Sequence, residues 1–471
     1  MSKQAKPDKQ MALIKSISGI RGTIGGYPGE GLSPVDIVRF TSAFGDWIKS
    51  GKSGEPIHIV TGRDARTSGD MITRLVTATL NGQGINVIDL GLASTPTVEI
   101  AVASEKADGG IIISASHNPG NWNALKLLNR NGELLSSSEG RNILDIADAG
   151  KFNYCGADET GSVKSASGYE DKHIEMIKSL PAVNTKAISE SGFKVVIDCV
   201  NSVGGIIIPK LLRSLGVSDI IELYSDPTGI FPHNPEPLPE NLDDLIRCVK
   251  ESDADVGFVV DPDVDRLAMV CEDGSLFNEE YTLVACADYI LSLNPGNTVS
   301  NISSTRALRD VTNVYGGKWY SSAVGEVNVV EKMKEVDAVI GGEGNGGIIY
   351  PPLHYGRDAV MGIALFLSHL ASSGMRCSEL RFKYPHYVIS KNKINLLEDC
   401  DPDELLKQIN NKLGVKVTDR RDGLLMETGN GWVHLRKSNT EPILRVYSEG
   451  PDDQSAETLA SEIIKIVKKF N

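Results

Sequence analysis

The sequence predicts a multidomain α/β protein closed by a smaller α+β unit. Two observations carry the first part. Short apolar runs alternate with amphipathic helical patterns, as expected for mostly parallel sheets covered by helices. The chain has 471 residues, too many for one hydrophobic core. The third observation is a change of texture near the C-terminus. Strand-like 432-WVHLR-436 and 442-PILRVYS-448 precede the amphipathic helix 456-AETLASEIIKIVKKF-470.

Along the chain, the candidate strands are 57–63, 109–114, 194–200, 256–262, 267–273 and 337–343. Helical patterns lie between them, such as 35-VDIVRFTSAFGDWIKS-50 and 242-LDDLIRCVKES-252. Three strands run into loops of similar character, GRDARTSG, DCVNSVGG and DPDVDR, which suggests duplicated βαβ units. Polar or turn-rich segments at 150–168, 273–280 and 371–380 mark candidate boundaries. The formal net charge of -14 argues against nucleic acid or an anionic membrane as the main partner, and leaves room for an anionic small molecule in a local cationic pocket. Seven scattered cysteines with no C-x-x-C pair fit a reduced, cytoplasmic protein. The N-terminal MSKQAKPDKQ has no apolar core behind it, so it does not read as a secretory signal, and no apolar run has the length of a membrane span.

Four loops carry candidate chemistry. The segment 112-IISASHNPGNWNALK-126 places Ser116, His117 and Lys126 after an apolar strand, where open α/β sheets keep their sites. An ordinary Asn-Pro-Gly turn accounts for the same composition. In 261-DPDVDR-266, three carboxylates alternate after a buried strand, a costly arrangement unless a cation or basic group neutralises it. Oxygen ligands of this kind suit Mg²⁺ or Ca²⁺. An EF-hand is excluded, because Arg266 stands where that loop requires glycine and the flanks are strands. In 341-GGEGNGG-347 a G-x-G-x-x-G pattern is present, but 348-IIYPP-352 cannot open the helix a dinucleotide site needs. In 436-RKSNTEPILR-445, two arginines stand beside hydroxyls, suited to a phosphate; a capped turn with solvated arginines reads equally from spacing alone. Upstream, Arg21 in SGIRG can meet an anion, and Arg63 with Asp64 reads as a structural ion pair or cap.

Taken in order, SGIRG, GRDARTSG, SASHNP with Lys126, DPDVDR, GGEGNGG and RKSNTEP resemble the α-D-phosphohexomutase family, over residues 16 to 447. The resemblance implies four domains around a central cleft, three related mixed α/β domains and a smaller C-terminal α+β domain. They would be a phosphoserine domain (1–165), a metal-binding domain (166–274), a sugar-binding domain (275–373) and a phosphate-binding domain (374–471). It implies that Ser116 carries a phosphoryl group, and that Asp261, Asp263 and Asp265 hold one Mg²⁺ together with Ser116. His117 and Lys126 would flank the transferred group, with Arg21 and Arg266 in the catalytic set. Glu343 and Asn345 would read sugar hydroxyls or an amine, and Arg436, Ser438, Asn439, Thr440 and Arg445 would hold the distal phosphate. The reaction would interconvert hexose 1-phosphate and 6-phosphate, primed by a hexose 1,6-bisphosphate, in a cytoplasmic monomer or homodimer.

GGEGNGG with 324-VGEVNVVEKM-333 is most similar to the archaeal-type branch, which implies phosphoglucosamine mutase; phosphoglucomutase/phosphomannomutase is the alternative. A non-catalytic sugar-phosphate binder is disfavoured, because Ser116 and all three aspartates are present. Two departures stand out. Asn345 and Gly347 replace the usual Ser and closing His, so that histidine's acid-base role has no carrier here, and Ala124 stands where Gly is usual.

Overall fold

The structure, a computed structural model, describes residues 11–16, 19–52, 56–395, 404–407, 417–429, 431–437 and 443–468. Within them lie four sheets. The first has seven strands, in the order Leu13–Ser16, Gly19–Thr23, Trp122–Leu128, Gly109–Ile113, His58–Arg63, Asn86–Leu92 and Val163–Ser165. Its last four strands run parallel, and its first three pair antiparallel. The second sheet orders Leu267–Cys271, Val256–Val260, Lys194–Asp198 and Asp219–Leu223. The third orders Trp319–Ser322, Asn297–Asn301, Ala338–Glu343 and Gly347–Ile349. The fourth is wholly antiparallel, from Val388–Asn395 through Ile443–Gly450, Gly431–Lys437 and Leu424–Thr428 to Val417–Asp419.

The second and third sheets are mostly parallel, as the sequence pattern predicts, but each ends in an antiparallel pair, and the first divides evenly between the two kinds of pairing. The connections explain the difference. A parallel crossover needs a dozen or more residues. The loop 261–266 is far shorter, so Val256–Val260 and Leu267–Cys271 must form a hairpin. The same holds for Ala338–Glu343 and Gly347–Ile349, which excludes a dinucleotide loop there.

Local rules place the helices. Pro34–Ser50 begins with a capping box between Ser33 and Asp36, followed by Pro at the first turn. It buries Ile37, Phe40, Phe44 and Ile48 along one face. Two helices, Glu279–Leu293 and Ala359–Ser373, are buried on nearly every face. They carry the main core, where Phe277 and Phe258 both meet Phe366 edge-on. Among the described residues no single helix is long and apolar enough to cross a membrane.

The carboxyl ends of Gly109–Ile113, Val256–Val260 and Ala338–Glu343 converge. The loops that leave them touch one another, as hydrogen bonds from Ser116 to Asp261 and from Arg357 to both Asp265 and Glu343 show.

Candidate active site

Ser116 sits at φ +50°, in the left-handed region that side chains other than glycine's rarely adopt. Such a backbone costs about 1–3 kcal/mol and persists only where its surroundings over-determine it. Here they do. The fully buried Arg66 guanidinium reaches the carbonyls of Ser116, Asn118 (2.6 Å), Pro119 (2.7 Å) and Trp122 (3.1 Å). Its Nε pairs with Asp64 Oδ2 at 2.9 Å. Ser114 Oγ donates to the same carboxylate at 2.7 Å and accepts from the Ser116 amide at 2.9 Å. Asp64 thus pairs with Arg66 and not with Arg63, which donates only to the Asp64 carbonyl, at 3.2 Å. Arg63 closes the strand and adjoins Asp64 in sequence, but Arg66, two residues past Asp64, makes the pair.

So held, Ser116 Oγ donates to Asp261 Oδ2 at 2.5 Å. Asp261, Asp263 and Asp265 are fully buried, and each presents one carboxylate oxygen within 4.8 Å of the others. Asp261 Oδ1 accepts from the amides of Asp265 and Arg266, both at 3.1 Å. Val264, at φ +63°, makes the tight turn that brings these amides inward. Asp263 Oδ2 accepts from Thr95 Oγ1 and Lys126 Nζ, each at 2.6 Å. Asp265 Oδ2 accepts from Lys126 at 3.0 Å and Arg357 at 2.8 Å. The remaining oxygens, Asp263 Oδ1 and Asp265 Oδ1, are buried without a hydrogen-bond partner among the described residues. Burial and its two aspartate neighbours push Asp261 well above the usual carboxylate range. Orphaned oxygens beside a carboxylate that resists ionising are what a hard divalent cation would relieve, so the donor set fits one. Glu272, the twelfth residue counted from Asp261 and so the place of an EF-hand's closing acid, accepts from Ser378 instead.

Lys126 lies against this loop. Burial opposes its charge, but Asp263 and Asp265 outweigh burial and raise its pKa. Lys126 is therefore a fixed cation. His117 Nδ1 stands 3.4 Å from Ser116 Oγ. Burial, with Arg266 and Arg21 nearby, holds His117 well below its ordinary value, so the ring is neutral at neutral pH. Arg21 reaches Asn118 Oδ1 at 3.4 Å from the strand Gly19–Thr23, which pairs with the strand carrying Lys126. Ala124 is buried in that second strand, opposite Arg21.

The glycine-rich loop meets the same centre through Arg357. This buried guanidinium bridges Asp265, Glu326 (3.0 Å) and Glu343 (3.0 Å). Glu343 is buried, and its two oxygens receive four donors: Asn301 Nδ2 (2.9 Å) and the Gly325 amide (3.0 Å) on one, Arg357 and Asn345 Nδ2 (3.5 Å) on the other. A Cβ at Gly347 would stand 2.3 Å from Arg357 Cδ. Arg357 therefore fills the space that a side chain at 347 would need.

Toward the C-terminus, Arg436 Nε pairs with Asp422 Oδ2 at 2.9 Å and stands across from Arg445 in the sheet. Arg445 also donates to Tyr447 Oη at 3.2 Å. Ser438, Asn439 and Thr440 lie outside the described residues.

Comparisons with known proteins agree with this order of loops. Four family models match in succession: phosphoglucomutase/phosphomannomutase α/β/α domain I at residues 13–154, domain II at 171–274, domain III at 278–387 and the C-terminal domain at 397–466. The chain belongs to the phosphoglucomutase/phosphomannomutase family. A Methanopyrus kandleri protein named probable phosphoglucosamine mutase is 32% identical over 96% of this chain and 97% of its own. A Thermococcus kodakarensis protein named phosphoglucomutase/phosphomannomutase is 33% identical over 95% of this chain and 98% of its own. A family member from Burkholderia thailandensis has a solved structure with a TM-score of 0.82, at 26% identity over 97% of both chains.

Within this mutase family fold, the structure brings Ser116, His117, Lys126, Arg21, Arg266 and the three aspartates into one centre. Three further residues there escape sequence reasoning. Arg66 lies within GRDARTSG, but its four carbonyl acceptors follow it by 50 to 56 positions. Arg357 meets Asp265 across 92 positions. Glu236, in the proline-rich 231-FPHNPEPLPE-240, pairs with Arg266 at 3.2 Å.

Proposed function

We propose that this chain is a phosphohexomutase working through Ser116, with phosphoglucosamine mutase as its main activity. The observation that carries the reading is Ser116 Oγ at 2.5 Å from Asp261, at the mouth of an acidic loop with two orphaned oxygens. A Mg²⁺ held by Asp261, Asp263, Asp265 and Ser116 would neutralise charge during phosphoryl transfer. In the forward half-reaction the Oγ–P bond of phosphorylated Ser116 breaks, a bond forms from phosphorus to a sugar hydroxyl oxygen, and the proton that hydroxyl loses ends on the freed Ser116 Oγ. The resulting 1,6-bisphosphate turns over, and its other phosphate returns to Ser116. A hexose 1,6-bisphosphate therefore also primes an unphosphorylated chain. Lys126, Arg21 and Arg266 supply fixed positive charge around the transferred group, and His117 flanks it. Glu343 and Asn345 line the sugar region, while Arg436, Arg445 and the segment 438–440 receive the distal phosphate.

The choice of amino sugar rests on the name of the Methanopyrus relative. The Thermococcus relative's name favours a second reading, phosphoglucomutase/phosphomannomutase. One assay separates them: Mg²⁺-dependent rates on glucosamine, glucose and mannose phosphates, beside Ser116→Ala. Glucosamine phosphate should give the highest kcat/KM, and Ser116→Ala should lose on the order of 10⁴-fold in turnover. A faster rate on glucose or mannose phosphate would move the assignment to the second reading. Silence on all three sugars, with binding intact, would leave a sugar-phosphate binder.

A further inference from the structure

Residues 225–241 connect the strand Asp219–Leu223 to the helix Asp243–Ser252, yet this connection does more than span them. It is anchored at several points against the serine loop's supports. Asn201 Nδ2 donates to the Ile230 carbonyl at 2.9 Å, and the Gly229 amide donates to the Asn201 carbonyl at 2.9 Å. Gly229 lies so close to the Ala65 carbonyl that a Cβ there would meet it at 1.8 Å. The Phe231 ring lies 5.0 Å from the guanidinium carbon of Arg66, the residue that clamps the serine loop. His233 Nε2 meets the buried Asp198 at 3.0 Å. Pro235 and Pro237 are both buried and fix the backbone on either side of Glu236. Glu236 is thus delivered from a rigid frame.

Its carboxylate faces the reacting centre. Oε1 lies 3.2 Å from Arg266 NH1 and 3.8 Å from His117 Nε2. The opposite edge of the His117 ring faces Ser116 Oγ, and the Arg266 amide donates to Asp261. Glu236 therefore bonds to Arg266 and stands, with the same oxygen, beside the outer edge of the His117 ring. Arg21, Arg266 and Arg357 also crowd His117, with Asp265 opposing them.

We infer that Glu236 is a positioning residue for phosphoryl transfer at Ser116, holding the Arg266 guanidinium and the His117 ring in place. This rests on the mutase reading above. It acts through its partners and not on the sugar, so its removal should slow the transfer step without weakening substrate capture. Loss of a nearby negative charge can only favour an incoming phosphate.

The test compares Glu236→Ala, Glu236→Gln and Glu236→Asp with the wild-type chain, using steady-state rates with Mg²⁺ and single-turnover transfer from the phosphorylated protein to glucosamine or glucose phosphate. Misplacement of about 1 Å costs up to about 100-fold, so Glu236→Ala should lose roughly 10- to 100-fold in kcat and in the transfer rate. KM should stay the same or fall. Glu236→Gln keeps the volume and should lie between, and Glu236→Asp should recover part of the rate. Unchanged kcat in Glu236→Ala would overturn the inference. So would a raised KM at normal kcat, which would make Glu236 a sugar contact. A normal rate in Glu236→Gln beside a slow, less stable Glu236→Ala would reduce it to packing. Should the wild-type chain itself turn over no hexose phosphate, the mutase reading fails instead.

Discussion

Two acidic centres face each other across Arg357, and they are satisfied in opposite ways. On the serine side, Asp263 and Asp265 each keep one buried oxygen without a hydrogen-bond partner among the described residues. On the side of the glycine-rich loop, both oxygens of Glu343 are saturated by four protein donors. A buried carboxylate oxygen with no donor costs several kcal/mol unless a cation reaches it. One with two donors is already at rest. The serine side therefore suits a cation, whereas Glu343 ties together the three segments that carry Asn301, Gly325 and Arg357. A third buried acid, Glu99, takes another route. Burial pushes it up to about 8, beside His354 Nδ1 at 3.2 Å, so it keeps a proton where the aspartates would take a cation.

Arg357 is the tie between the two centres, and its loss should produce the largest effect. Removing one partner of a buried ion pair costs about 3–5 kcal/mol, and Arg357→Ala would strand Asp265, Glu326 and Glu343 together. Thermal melting should show a drop of that order, with turnover nearly abolished. A stable, active Arg357→Ala would show that the two centres do not depend on each other.

Asp263→Asn comes next, and it should split stability from activity. The substitution relieves repulsion among three aspartates while Asp265 retains Lys126. The melting temperature should move little, whereas kcat should fall roughly 100-fold and the Mg²⁺ requirement should shift upward. Full activity after thorough chelation would remove the cation from this picture.

How much of this contrast is legible in the sequence depends on how far apart the partners lie. The alternating carboxylates of 261–266 and the polar turn after Gly109–Ile113 are local patterns, so composition and spacing are enough to find them. The candidate strands hold for the same reason, since each of those apolar runs falls on a strand, whereas edge strands such as Leu13–Ser16 and Val163–Ser165 carry too little apolar pattern to be read. What spacing cannot give is which charge neutralises which. Lys126 meets Asp263 and Asp265 across 137 and 139 positions, and Thr95 meets Asp263 across 168. Glu343 looks like a ligand-facing acid in GGEGNGG because its donors sit at 301, 325 and 357, on three other segments. Arg66 and Arg63 are indistinguishable in GRDARTSG until the fold buries one of them.

The proton-holding acid offers a test by pH. His354 is raised to about 10: burial opposes its charge, but the hydrogen bond with Asp358 and the Glu99 carboxylate 3.2 Å away outweigh burial. Its folded value lies above the unfolded 6.5, so its contribution is complete below pH 6.5 and lost as pH rises through 10. Glu99 has the same sign: the folded chain keeps a proton that the unfolded chain releases above 4.5, and this advantage fades as pH rises through 8. Glu99, His354, Asp358 and His173 join helices Thr95–Glu105, Ala359–Ser373 and Tyr169–Ser179. Stability should thus decline between pH 4.5 and 10, most steeply between 6.5 and 8 where the two windows overlap, by at most about 1.4 kcal/mol per pH unit for each proton. Calorimetry of His354→Gln should give a shallower decline. An equal slope in both proteins would show that the cluster does not titrate in this window.

Glu343→Gln should have the smallest effect on activity, and it decides what the saturated carboxylate is for. A glutamine has one oxygen and one NH₂ group. Whichever way the amide turns, its NH₂ faces two donors, either Asn301 with the Gly325 amide or Arg357 with Asn345. Those buried donors lose their acceptor, at a cost of about 1–3 kcal/mol in stability. Because the damage is to the loop, KM for glucosamine, glucose and mannose phosphates should change by one common factor. The sequence reading expects another result, in which the amino sugar loses most because a carboxylate gains a charge-assisted bond to an ammonium group. For that, Glu343 must release one of its four donors when sugar arrives. A tenfold or greater selective loss on glucosamine phosphate, about 1.4 kcal/mol, would mean that it does. The contrast between the two centres would then describe only the empty cleft, and Glu343 would join the aspartates as an acid that awaits a ligand.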